Sequence, residues 1–168
     1  LRESGPAREG RNLVPHHWWI VPLIAVTLTQ IAAITTSVYL HRGLAHRSLR
    51  LHPITDSCCR ALLWLTTGQS RREWVAVHRK HHTFTDRQGD PHSPQLVGFW
   101  HIQFWNVFYY MREARNPETI RTFAPDIAED WLDRTVFSTG LGGLALGIAI
   151  LCLVFGVWIG LAAGLVHA

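Results

Sequence analysis

At 168 residues the chain suffices for one domain, yet 48% of it is apolar and eight residues are Trp, more than a water-soluble chain of this size needs to fill a core. Its net charge of +4 comes from dispersed basic residues with no nucleic-acid motif, which excludes a nucleic-acid partner and suits anionic lipid headgroups better. Three cysteines, two of them adjacent at Cys58 and Cys59, give no disulfide framework and fit a reducing compartment.

In chain order, the first 17 residues carry Arg2, Arg8 and Arg11 against Glu3 and Glu9. Residues 18–40 then contain no charge, and as a helix they rise roughly 34 Å, enough to cross the hydrocarbon of a bilayer. Trp18, Trp19 and Tyr39 stand at the ends of this stretch, where aromatic rings favour the membrane interface, so it is read as a transmembrane helix. No small-residue cleavage site follows it, which argues against a signal peptide. Residues 41–134 hold 13 Lys and Arg against 10 acids, and the positive-inside tendency assigns them to a cytoplasmic cap. One span cannot keep both flanks inside, so a further membrane helix is expected before residue 1.

Residues 136–166 are again uncharged and too long for one span. They predict a transmembrane helix over 136–154, a turn near Gly156 to Gly160, and the start of a further transmembrane helix over 157–168. Glycines at 143, 147, 156, 160 and 164 recur at intervals of four that allow close helix contact. The chain begins with Leu and stops inside an apolar run, so it is expected to be a single truncated domain, 1–168. The fold class that follows is all-α: an integral membrane protein with transmembrane helices and a cytoplasmic helical cap rich in histidine. Within that cap, the aromatic stretch 96–111 reads either as a helix lying on the membrane or as an ordinary core helix.

The cap carries the chemistry. Of eleven histidines, five fall in two short stretches, His41-Arg-Gly-Leu-Ala-His46 and His78-Arg-Lys-His81-His82, with His52 and His92 flanking. His16, His17, His52, His101 and His167 are read as ordinary hydrogen-bonded residues. On a helix, offsets of zero, three and four put His78, His81 and His82 on one face. Three convergent neutral imidazoles make a metal site, and their mutual repulsion when protonated lowers their affinity for protons. His41 and His46, five apart, point about 140° from each other on an ideal helix, so they serve different metals or straddle a helix end that Gly43 permits. Imidazole suits Zn, Cu, Fe and Ni alike, and the absence of Cys from both stretches argues against thiolate zinc. Glu73, Asp86 and Asp90 lie near enough to orient imidazoles through the second ring nitrogen, with Asp86 expected on the His82 face of the helix.

Tyr39-Leu40-His41-Arg42 through His46-Arg47-Ser48, and Trp74-Val75-Ala76-Val77-His78-Arg79-Lys80-His81-His82 followed by Thr85-Asp86 and Asp90-Pro91-His92-Ser93, resemble the first two histidine boxes of the membrane-bound fatty acid desaturases of the stearoyl-CoA Δ9 type. The resemblance implies that His41, His46, His78, His81 and His82 are ligands of two iron ions, and that Trp74 and, one position removed, Gln69 line an acyl tunnel. It implies an O2-dependent desaturase of Δ9 type, acting on a fatty acyl thioester or acyl lipid at the membrane. Electrons come from a separate donor such as cytochrome b5, ferredoxin or a rubredoxin-like protein, because no haem, flavin or iron-sulfur motif is present. The family's third box, His-Asn-x-His-His, does not occur in this sequence, and His167 comes too early to be the family's further ligand, so the piece alone is expected to be inactive. Ala76 and Val77 replace the Arg and Asp that some animal members carry near the acyl carrier, which leaves the carrier open. A related hydroxylase or ketolase, and a non-catalytic membrane metal-binding protein, are the competing readings.

Overall fold

The computed structural model describes residues 17–167. Arg2, Arg8, Arg11 and His16, any helix before residue 1, and the last residue of the 157–168 segment lie outside the described residues. Those residues form helices and connecting turns, with no strand among them, so the all-α expectation holds.

Helix α1 (Ile20–Thr35) continues without a break into a π-helix (Thr36–Ala45). Together, Ile20–Ala45 is the one described helix long and apolar enough to cross a membrane. The helix therefore runs five residues past the expected end at Leu40, and Gly43 does not break it. Packing carries it on: Tyr39 and Leu40 are fully buried with Leu63, and Leu44, Leu51 and Trp74 close around them.

Helix α2 (Pro53–Thr67) opens with Pro at its first position, and His52 caps it by accepting from the Ile54 amide at 3.3 Å. It ends on Gly68, whose φ of +64° is the left-handed cap that glycine supplies without steric cost. Helix α3 (Arg71–Phe84) carries the second histidine stretch. Short α4 (Pro94–Val97) is capped by the Ser93 hydroxyl and leads into α5 (Phe99–Ala114). Helix α6 (Pro117–Phe123) is capped by Asn116, and α7 (Trp131–Thr135) by a reciprocal Asp130–Asp133 capping box.

Two apolar helices close the chain, α8 (Gly140–Phe155) and α9 (Val157–His167), joined at Gly156 with φ +86°. The turn falls where the sequence placed it. Helix α8 starts four residues later than expected, because Val136 to Thr139 complete the turn after α7. At 16 residues it rises about 24 Å, short of a full span of about 30 Å. Helix α9 packs on both α8 and α1, and a methyl at Gly160 would collide with the backbone of Cys152, so the α8–α9 approach requires a residue without Cβ.

The cores follow from these contacts. Val21, Ile24, Ile159 and Ala163 join α1 to α9, while Ala45, Val75, Ala76, Ala124 and Ile127 join the π-helix, α3 and the chain around α6. Charged pairs tie α3 to α2, α5 and α7. Arg60 and Arg71 both reach Asp133, at 3.1 and 2.5 Å, and Lys80 meets Glu113 at 2.6 Å with the Thr119 hydroxyl also bound to that carboxylate. Lys80 and Glu113 are mostly shielded from water, so losing either partner would cost about 3–5 kcal/mol by stranding the other. Helix α5 is not a core helix: Trp100, Phe104 and Val107 are 68%, 73% and 72% exposed.

Candidate metal centre

The π-helix decides where the first histidine pair points. Its i→i+5 bonding, closed by the His46 amide donating to the His41 carbonyl at 3.0 Å, stacks residues five apart on one face. The rings consequently meet, with Nε2 atoms 3.0 Å apart, where an ideal α-helix would have turned them well away from each other.

From α3, His78 and His82 face this pair. Ring centroids lie 4.7 Å apart for His41–His78, 5.1 Å for His46–His82 and 4.5 Å for His78–His82. One nitrogen from each of the four rings falls within 4.8 Å of the others, close enough for all to share a cation. The donor set fits a metal on a further count. The His78 Nε2 is buried and has no hydrogen-bond partner, an arrangement that costs free energy unless a cation takes the lone pair. Burial, with repulsion from His82 and the other imidazoles, pushes the His78 pKa down to about 3, so the ring is neutral and competent as a ligand at neutral pH. His82 is shifted the same way, by burial and then by His46, His81 and His41.

His81 does not join this tetrad. It leans toward the chain beyond α3, its ring stacked on His92 at 4.7 Å, and its Nδ1 bonds Asp90 Oδ1 at 2.9 Å. His81, Asp90 and His92 make a second group able to hold a metal ion. Asp90 is fixed in turn by the amides of His92 at 3.1 Å and Asp86 at 2.9 Å, and these bonds with the one to His81 hold its carboxyl below the usual carboxylate range against the opposing effect of burial. Asp86 stands past the end of α3, with φ +56°, and its carboxylate accepts from Ser93 at 2.6 Å and Gln95 at 3.2 Å; it braces the Asp90 turn and not an imidazole. Glu73 lies on the first turn of α3, and burial followed by repulsion from Glu129 raises its carboxyl.

Beside the tetrad a cavity of about 840 Å³ opens between the end of α2, α3, α5 and α8, a size typical of small-ligand sites. Trp74 and Gln69 both line it, and Trp74 lies flat against His78 at 4.6 Å between ring centroids. Sequence reasoning missed three of its polar groups. They are the buried His92 Nδ1 and Tyr110 hydroxyl, which lack partners like the Oε1 of the expected Gln69, and His167, which reaches the cavity while bonding Thr66 O at 2.9 Å and Thr29 Oγ1 at 3.0 Å. Asp90-Pro91-His92-Ser93 was the available signal for His92; nothing in the residues around Tyr110 marks it out.

Among the described residues, fold and site together define an all-helical protein whose histidine cluster, able to hold a cation, borders a cavity of about 840 Å³. Neither a family model nor a solved structure matches the chain. Curated proteins do. It is 30% identical over 174 residues to a hex-5-enoyl-[acyl-carrier protein] acetylenase of Moorena producens, covering 88% of this chain and 51% of that protein. It is 30% identical over 125 residues to the delta-9 acyl-lipid desaturase 1 of Arabidopsis thaliana, covering 70% of this chain and 39% of that one. It is 32% identical over 123 residues to an sn-2 palmitoyl-lipid 9-desaturase of Nostoc, covering 70% and 41%. The chain belongs to the Δ9-desaturase-type family of fatty acyl desaturases, a family of oxidoreductases. It spans about half the length of the acetylenase and about two fifths of the other two.

Proposed function

We propose that this chain forms the first part of the active site of an O2-dependent fatty acyl desaturase, with two iron ions held at the membrane surface on the cytoplasmic side. His41, His46, His78 and His82 hold one ion, and His81, its Nδ1 committed to Asp90, offers its other nitrogen toward the second. The observation that carries this reading is the convergence of four imidazoles from two separate helices around a buried, unpartnered nitrogen. Bound iron would supply the O2-dependent removal of two hydrogens from an unactivated chain, with two electrons and two protons from outside and two waters leaving, chemistry that acid and base side chains cannot perform.

The chain's own residues position the reactants. Trp74 forms one wall of the cavity and presses on His78, so an acyl chain lying along that wall is held next to the metal ligands. Gln69 lines the cavity farther along α3's approach. Asp90 fixes the orientation of His81. Ala76 and Val77 are buried in the helix packing, so neither position presents a charge to a carrier headgroup. An acyl lipid is the favoured substrate, since two of the relatives are named for acyl or palmitoyl lipids, with a carrier-protein thioester second, after the acetylenase. Ile20–Ala45 anchors the cap in the bilayer, and the exposed aromatics of α5 lie against its surface. A separate donor, such as cytochrome b5, ferredoxin or a rubredoxin-like protein, delivers the electrons.

Expression of the intact coding sequence in a host lacking Δ9 desaturation, followed by mass analysis of its fatty acids, tests this. The expected result is a new species lighter by two hydrogens, with the double bond at carbon nine. A species heavier by one oxygen would assign a hydroxylase instead, and one that gains an oxygen while losing two hydrogens a ketolase.

A further inference from the structure

The metal cluster depends on two helices that are separate in sequence, and one side chain ties them together. Arg79 follows His78 directly, but its guanidinium leaves α3 and reaches the end of the π-helix. Nη2 donates to the Leu44 carbonyl at 2.9 Å and Nε to the Ala45 carbonyl at 3.1 Å, the two residues just before His46. These are carbonyls that a helix end leaves without intrahelical partners. Nη1 donates to the Phe123 carbonyl at 3.0 Å, and Asp126 holds the same guanidinium with contacts of 2.5 and 3.2 Å. Arg47, the residue after His46, also pairs with Asp126, at 2.7 Å. Asp126 thus grips both histidine segments, one through Arg79 and the other through Arg47, and the guanidinium pairing holds its carboxyl far below the usual carboxylate range.

We infer that Arg79 is a positioning residue that clasps the carbonyl end of the π-helix and thereby sets His46 and His41 in register with His78 and His82. The inference rests on the reading that this cluster binds metal. The planar guanidinium is what the arrangement requires. It donates in a fixed fork to two successive carbonyls and to a carboxylate at once, whereas a lysine ammonium keeps the charge and cannot span all of them. The register matters because one nitrogen of each ring must be held within about half an ångström of its coordinating position for the four to share one ion.

The test uses the detergent-solubilised chain, with Co2+ as the probe and its visible absorption as the reading of how many imidazoles bind. Arg79→Lys and Arg79→Ala are compared with the unsubstituted chain, with helicity followed by far-ultraviolet circular dichroism. The expected result is that Arg79→Lys keeps its helicity, binds Co2+ at least tenfold more weakly and gives a weaker, shifted visible band. Unchanged Co2+ binding in either variant would overturn the inference, and so would loss of helicity in Arg79→Lys in step with binding, which would make Arg79 a purely structural residue. Failure of the underlying metal reading is told apart from these, because the unsubstituted chain would then bind no Co2+ before any substitution is made.

Discussion

His78 is the residue on which most of the site's electrostatics turn. In the unfolded chain its imidazole titrates near 6.5, and in the fold burial and neighbouring imidazoles push it to about 3. Between those values the unfolded state takes up a proton that the folded state refuses, so His78 leaves the stability of the metal-free chain unaffected above about pH 6.5 and lowers it progressively as pH falls toward 3. The melting temperature of the metal-free protein should therefore decline steadily from pH 7 to pH 4. In His78→Phe, which keeps a ring against Trp74 without a proton site, the decline should be shallower. An identical slope in both proteins would show that His78 is not held neutral. A bound metal would oppose the same change, since a ligand that binds only the folded state raises its stability by mass action, and acid that protonates the imidazoles would release it.

At the scale of the element, the π-helix is the feature that brings the first histidine stretch to the site. A spacing of five is poor on an α-helix and good on a π-helix, so one added residue between His41 and His46 should turn the pair apart again. Inserting a single alanine after Gly43 is expected to leave the helix apolar face intact up to Leu40 and to reduce Co2+ affinity at least tenfold; retention of full affinity would mean that the spacing does not set the geometry. Much of the rest was readable beforehand. Residues 18–40 lacked charge, Gly156 marked the turn between α8 and α9, and offsets on α3 put His78 and His82 one turn apart. The π-helix was not readable, because no residue in Thr36–Ala45 favours i→i+5 bonding by its own chemistry; burial of Tyr39 and Leu40 against α2 and α3 selects it. His81 defeated the same reasoning for a related reason. Its offset from His78 is helical, but the Asp90-Pro91-His92 turn beyond α3 supplies a carboxylate and a stacking ring that draw it to the other side.

For the whole molecule, a polar cap, an apolar helix set and a cavity between them meet at the histidines. Ile20–Ala45 links all three levels, since its lower part packs on α9, its upper part packs on α2 and α3, and its end delivers His41 and His46. The cavity is lined at one place by His78 and at another by His167, which bonds Thr29, twelve residues before His41 on the same helix and on the order of 15–18 Å from it along the axis. An acyl chain placed there would pass His78, the placement that the proposed desaturation requires. The most direct measurement is iron stoichiometry after anaerobic loading with Fe2+, made on the chain and on two double variants, His41→Ala with His46→Ala and His78→Ala with His82→Ala. Tight iron binding in the parent, abolished alike by either pair of substitutions, is the predicted result. Full iron binding that survives the loss of one pair would show that the two helices do not share a metal.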